Sequence, residues 1–331
     1  MKHLQSLRRL LALSVLATST AGHAADVNLL NAAYDVSRDV YKDLNPVFIA
    51  DWEKAHPGRK IKVDQSHGGS SKQARAVIDG LEADFLATNN PLDVDAVAKA
   101  KLLGADWATK LPHQASPSWS TILFLVRKGN PKGIRDWNDL VKPGVGVVLP
   151  NPKTSGNGRY SYLAAWQYAL TQPGGNEDKA LAFVTSLIGN VPVLDTGGRG
   201  ATTTFVQRGI GDVLLTFENE LVLLRKEFGA SDYEIVVPSL SIRADNPVAV
   251  VDKVAARKKT TEAAQAYAQF HFSEAAQEIF AANGLRPSDP EVLARHPDFA
   301  DVKLFSVYNW DATFKKHFAD GGTFDRIYTK Q

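Results

Sequence analysis

Residues 145–166 read VGVVLPNPKTSGNGRYSYLAAW. The run Val145–Pro150 is apolar and β-branched, the composition of a buried strand. Asn151-Pro152-Lys153 breaks the run and Thr154-Ser155 offers the hydroxyls that open helices. From Gly156 to Leu170 the pattern predicts a helix, stopped by Gln172-Pro173-Gly174-Gly175. A strand that hands over to a helix through so short a turn is the unit of an α/β layered fold. The turn also has a chemical use. A helix's first turn presents backbone N–H groups that lack intrahelical partners, at the positive end of its dipole. Glycine lets a ligand reach that backbone, and a hydroxyl adds one more donor.

Comparable junctions recur along the chain. Ser66-His67-Gly68-Gly69-Ser70-Ser71 follows the strand-like IKVDQS, Thr196-Gly197-Gly198-Arg199-Gly200 follows VPVLD, and Tyr34-Asp35-Val36-Ser37 follows NLLNAAY. One such junction is an ordinary helix start. Four of them, all at the carboxyl ends of strands, converge on one crevice in an open α/β sheet and describe an anion cage built from N–H and O–H donors.

Around these junctions strands and helices alternate. Helices are expected over Ser37–Ala55, Ser70–Leu81, Val94–Lys101 and Asp178–Ile188, and a single long one over Thr261–Ala282. Strands are expected at Ala83–Ala87, DVLLTFE and YEIVVP. Two long apolar strands, TILFLVRKG and PVAVVDKV, bracket a self-contained middle block. If both cross between lobes, residues 25–115 and 250–331 form lobe 1 and residues 116–249 form lobe 2, free to close on a ligand by hinge bending. One continuous doubly wound sheet is the alternative.

The 331 residues suffice for two lobes of ordinary size. The N-terminus differs from the rest: Lys2, Arg8 and Arg9 precede the apolar run Leu10–Ala17, and small residues follow to Ala24, the build of a secretory signal over residues 1–24. Its loss would take the formal net charge from +2 to −1 by removing those three cations, a balance that argues against nucleic acid as a partner. With no cysteine, the chain has neither disulfides nor a thiol nucleophile, which suits a periplasmic protein stabilised by its core alone.

Catalytic patterns are missing. SHGGSSKQ lacks the spacing of a phosphate-wrapping loop, and there is no G-x-S-x-G elbow, no S-x-x-K and no H-E-x-x-H. The histidines beyond the leader (56, 67, 113, 271, 296 and 317) are scattered without metal-ligand spacing. His67 alone lies in a candidate loop, where it shapes the turn or donates a hydrogen bond. Glu218 and Glu220 flank Asn219 and could cap the next helix or form an acid–base pair; Arg199 could meet an anion or brace its own loop.

The segments SHGGSSKQA, FLVRKGNP with DWNDLVKPG, NPKTSGNGRYSYLAAW, DTGGRGATTTF, RGIGDVLLTFENE and HFADGGTFD span Tyr34 to Asp325. In them the chain closely resembles the periplasmic sulfate/thiosulfate-binding proteins of bacterial ABC transporters. The resemblance implies a two-lobed solute-binding fold with an interlobe cleft and two crossover strands, no catalysis, no cofactor and no metal. It implies that the anion takes hydrogen bonds from the backbone N–H groups of Asp35, Ser70, Gly156, Asn157 and Gly198 and from the Ser155 hydroxyl. The expected partners are sulfate or thiosulfate and a membrane permease, with the receptor itself a monomer. The chain departs from the pattern at Gly158, where the family has alanine, and at Phe217, where the sulfate-preferring branch has a tryptophan whose indole N–H donates to the anion. Phe217 together with YDVSR and DTGGRGATTTF looks more like the thiosulfate-binding branch. A receptor for another tetrahedral oxyanion and an exported ester hydrolase stay open as alternatives.

Overall fold

The computed structural model describes residues 26–228 and 232–328, so the expected leader lies outside the described residues. In chain order the strands are β1 (Val27–Tyr34), β2 (Ile61–Gly68), β3 (Phe85–Ala87), β4 (Ser118–Ser120), β5 (Ile122–Arg127), β6 (Val147–Pro150), β7 (Leu194–Asp195), β8 (Val213–Phe217), β9 (Tyr233–Val236), β10 (Ser241–Ile242), β11 (Ala244–Asn246), β12 (Val248–Val250), β13 (Arg286–Pro287) and β14 (Leu304–Phe305). They form two principal sheets, β12-β3-β1-β2 and β7-β6-β8-β5-β9, which excludes one continuous sheet. In the first, β1 is parallel to β2 and β3 while β12 runs antiparallel. In the second, β6 is parallel to β7 and β8, while β5 is antiparallel to β8 and β9.

Strand alternation builds a core on each face of each sheet. In the first lobe Leu29, Ala33, Phe85 and Val248 face the helix Arg38–Ala55 through Val40, Leu44 and Phe48. Ala32, Leu86 and Ala249 face the helices Ser70–Ile78 and Pro91–Lys99 through Val77, Val94 and Val97. In the second lobe Ile122, Phe124, Val147, Leu149, Leu215 and Phe217 pack with Tyr160, Leu163 and Ala164 of the helix Gly156–Thr171. Leu123, Leu125, Val148 and Leu214 pack with Ala201 and Phe205 of the helix Gly198–Val206.

The chain passes between lobes just upstream of the two long apolar strands. TILFLVRKG holds β5 in the centre of the second sheet, and PVAVVDKV holds β12 at the edge of the first. The crossings are β4 and β11, which pair antiparallel in a small separate sheet with β13. Trp119 of β4 lies between two guanidiniums, Arg243 at 4.3 Å and Arg286 at 4.9 Å from its ring centroid. Arg286 is also held by Glu218 through two bonds of 2.6 and 3.1 Å, and Glu218 accepts from Ala300 N–H at 2.7 Å.

Two expectations change. Thr261–Ala282 is not one helix but two, Thr261–Phe270 and Glu274–Ala282. Ser273 breaks it: its hydroxyl donates to Phe270 O at 2.7 Å and accepts from Ala276 N–H at 3.3 Å, a start signal inside an apolar periodic run. The division that put residues 250–331 in lobe 1 also needs revision. Helices up to Ala282 pack on the first sheet, but β14 pairs with β10, and Phe318, Phe324 and Ile327 are buried in the core under β5 and β8. We propose that the chain from Leu304 belongs to the second lobe, because that is where its apolar area is buried.

Both members of the Arg286–Glu218 pair are nearly inaccessible, so Arg286→Ala would strand a buried carboxylate beside the crossings. The expected loss is about 3–5 kcal/mol of unfolding free energy, measured by urea denaturation. A loss under about 1 kcal/mol, the worth of an exposed pair, would show that the pair is wet.

Candidate anion-binding site

The four junctions meet. Asp35 opens a short 3-10 turn where β1 ends, and its Oδ2 accepts from Arg199 N–H at 3.2 Å, which ties the first junction to the Thr196–Gly200 loop across the cleft. At Gly69, the cap of the helix Ser70–Ile78, a Cβ would stand 2.7 Å from both Thr154 O and Thr196 O. No side chain fits there, so three junctions close on one point. At Gly156 a Cβ would fall 1.9 Å from Asn89 Oδ1. Asn89 lies in a fifth junction, Thr88-Asn89-Asn90, between β3 and the helix Pro91–Lys99.

The side chains sort themselves by what they already bond. The Ser70 hydroxyl donates to Asp93 Oδ2 at 2.6 Å and accepts from Asn89 N–H at 3.2 Å. Asn157 donates through Nδ2 to Thr216 Oγ1 at 3.1 Å and accepts from the Ser161 hydroxyl at 3.3 Å. Both side chains therefore brace the site, and what Ser70 and Asn157 can offer a ligand is first-turn backbone N–H. Ser155 differs. It is buried at the N-cap of the helix Gly156–Thr171, yet its hydroxyl makes no capping bond to that helix.

Neighbouring charges are matched by carboxylates. Arg159 donates to Asp93 Oδ1 at 3.0 Å, with both side chains only 5% exposed, and to Pro152 O at 3.1 Å. Arg199 donates to Glu220 Oε1 at 3.1 Å, so it braces the loop it sits in. Burial raises the Glu220 carboxyl to about 7 against the pull of Arg199, and burial likewise raises Asp35 despite the N–H groups of Arg199 and Val36. Burial, helped by Arg38, lowers His67 to about 4, so at neutral pH its ring carries no charge to offer an anion. An anion in this crevice would meet helix-start dipoles, with Arg159 and Arg199 already held by carboxylates.

Glu218 and Glu220 do not act as a pair. They begin the helix Glu218–Phe228 and part, one to Arg286 and the other to Arg199. Phe217 ends β8 on the face under the helix Gly156–Thr171, 1% exposed, its ring centroid 6.0 Å from that of Tyr160. Sequence reasoning passed over Asn89 and Asp93. Its signal was present in Asn89-Asn90-Pro91, since Asn90 caps the following helix by accepting from Leu92 N–H at 3.0 Å. Among the described residues no group of three or more His, Cys, Asp or Glu could hold a metal, and no helix is long and apolar enough to cross a membrane.

Residues 35–286 match the family of bacterial extracellular solute-binding proteins. The chain is 53% identical to a thiosulfate-binding protein of Pseudomonas aeruginosa over 98% of this chain and 99% of that one. It is 49% identical to a sulfate-binding protein of Escherichia coli, over 95% and 97%, and 47% identical to a thiosulfate-binding protein of the same organism, over 93% of each. The sulfate-binding protein SubI of Mycobacterium tuberculosis superposes with a TM-score of 0.76 at 34% identity, covering 85% of this chain and 94% of SubI. The chain thus shares its fold with SubI and belongs to the bacterial extracellular solute-binding protein family, among the sulfate- and thiosulfate-binding proteins.

Proposed function

We propose that the chain is a periplasmic receptor that binds thiosulfate and sulfate reversibly and delivers them to the permease of an ABC importer. The observation that carries this reading is the convergence of helix first turns and the Ser155 hydroxyl on one crevice whose carboxylates already accept hydrogen bonds. Asp35, Ser70, Gly156, Asn157 and Gly198 supply backbone N–H and Arg199 braces, while the neutral His67 lies not in a loop but within β2, paired with Ala33. Identities of 53% to a thiosulfate-binding, 49% to a sulfate-binding and 47% to a thiosulfate-binding protein support the class of anion without ranking the two. The same relatives are named for binding and not for catalysis.

Calorimetric titration against thiosulfate, sulfate, phosphate and molybdate tests it. Hydrogen phosphate carries a proton that needs an acceptor, and the cage faces it with donors, a penalty of about 1–3 kcal/mol or more. Phosphate should therefore bind at least about tenfold more weakly than the best ligand; phosphate equal to sulfate would overturn the cage. Ser155→Ala should cost about 1.5–3 kcal/mol of binding, and His67→Ala much less.

Anion preference turns on Phe217, which offers no N–H. Sulfate loses one charge-assisted bond there relative to a tryptophan, whereas the soft terminal sulfur of thiosulfate tolerates a phenyl face. Phe217→Trp should move the ratio of affinities toward sulfate. A folded variant with an unchanged ratio would make the ring core and nothing more.

Glu220 introduces a pH dependence. Its folded-state value, about 7, lies above the ordinary 4.5 of a glutamate, so folding favours the protonated form. That contribution is whole below the unfolded value and is lost as pH rises through about 7. Burial lowers His67, His271 and His317 to about 4 and gives both proteins an opposite slope, so the test is the difference: from pH 5 to 8 the wild type should lose stability relative to Glu220→Gln as pH rises through about 7.

A further inference from the structure

Lys153 stands two residues before Ser155, where a cation would be expected to reach for the anion. It points the other way. Its Nζ donates to Phe318 O at 3.0 Å, Asp325 Oδ2 at 3.0 Å and Asp320 Oδ1 at 3.2 Å. An ammonium has three N–H donors, and all three are taken by the C-terminal segment. The acceptors fall in His317–Asp325, the HFADGGTFD stretch. Gly321, at φ +73°, makes a turn that brings Asp325 back, where Oδ2 also accepts from Gly321 N–H at 2.9 Å. The same segment runs along the anion helix: Tyr162 OH lies 3.1 Å from His317 Nδ1, and the Arg159 guanidinium sits 5.8 and 6.0 Å from the rings of Phe314 and Phe318. The other side of the loop is tied to backbone, with Asn151 N–H donating to Asp195 O at 2.7 Å and Ser155 N–H to Asn151 O at 3.0 Å.

We propose that Lys153 and Asp325 are positioning residues for the anion loop, a clasp by which the C-terminal segment holds Ser155, Gly156 and Asn157 in their ligand-binding arrangement. The loop's donors act on the ligand only if aimed within a fraction of an ångström. Lys153 fixes their frame while staying out of the cage. Asp320 adds little, since its side chain is fully exposed. This inference rests on the receptor reading above.

The test is thiosulfate and sulfate affinity by calorimetry on wild type, Asp325→Asn, Asp325→Glu, Lys153→Gln and the double variant Lys153→Gln/Asp325→Asn, with the unfolding midpoint of each ligand-free protein. The sign decides between roles. If Lys153 acted on the anion as a charge, Asp325→Asn would unmask it and strengthen binding. As a clasp, the substitution should weaken both anions about tenfold, the worth of one charge-assisted bond, with the midpoint held. Asp325→Glu should recover part of the loss, and the double variant should be no worse than either single one. Lys153→Gln leaves the tail helix untouched, so it serves if Asp325→Asn fails to fold. Faster amide hydrogen exchange at residues 154–157 in ligand-free Lys153→Gln is expected independently of affinity. Unchanged or tighter binding, or a loss that only tracks the midpoint, overturns the clasp alone. A wild type that binds neither anion overturns the receptor reading and the clasp with it.

Discussion

Asp93 is a carboxylate buried between two lobes, and the structure is arranged around what it needs. A lone buried charge is prohibitive, so it must collect donors from whatever surrounds it. One oxygen takes the Ser70 hydroxyl from its own lobe and the other takes the Arg159 guanidinium from the opposite lobe. Ser70 begins one helix of the cleft and Arg159 lies in the first turns of another. The pair therefore sets two helix starts relative to each other and is complete only when the lobes meet. Arg159, bonded in addition to Pro152 O, carries that constraint into the loop before Ser155.

Three cations around the crevice are matched by carboxylates. Arg159 has Asp93, Arg199 has Glu220, and Lys153 has Asp325. None of these cations is spent on attracting a ligand, and each holds a piece of backbone in place. A small dianion bound by N–H groups alone is recognised by the number and direction of donors, which is where a proton on the ligand becomes costly.

Much of this was legible in the sequence. The strand-to-helix junctions at Tyr34–Ser37, Ser66–Ser71, Thr154–Gly158 and Thr196–Gly200 were legible because hydroxyls, with glycines at the last three, recur between an apolar run and a helical period. Asn89 and Asp93 did not, since an asparagine pair and an acidic residue in a first turn describe any helix start. Their importance comes from Ser70 and Arg159, residues 19 and 66 positions away from their respective partners, which no local pattern reports. The crossings escaped for a different reason. β4 and β11 are short and polar at Ser118, Ser120, Asp245 and Asn246, so the apolar strands after them drew the eye.

The break at Ser273 and the placement of the tail show what periodicity omits. Helical spacing continues through His271 and Phe272, but spacing records which face is apolar and not whether the chain turns. Ser273 ends one helix and caps the next, and both keep their apolar faces on the same core. The tail is the same problem at longer range. Its aromatic residues Phe318 and Phe324 are buried in the core under β5 and β8, and Lys153 meets the Asp325 turn at the edge of that contact. An apolar surface tells a segment to be buried, and polar contacts at its rim are what spacing along the chain does not report, as where Lys153 meets the carbonyl of Phe318 and the carboxylate of Asp325.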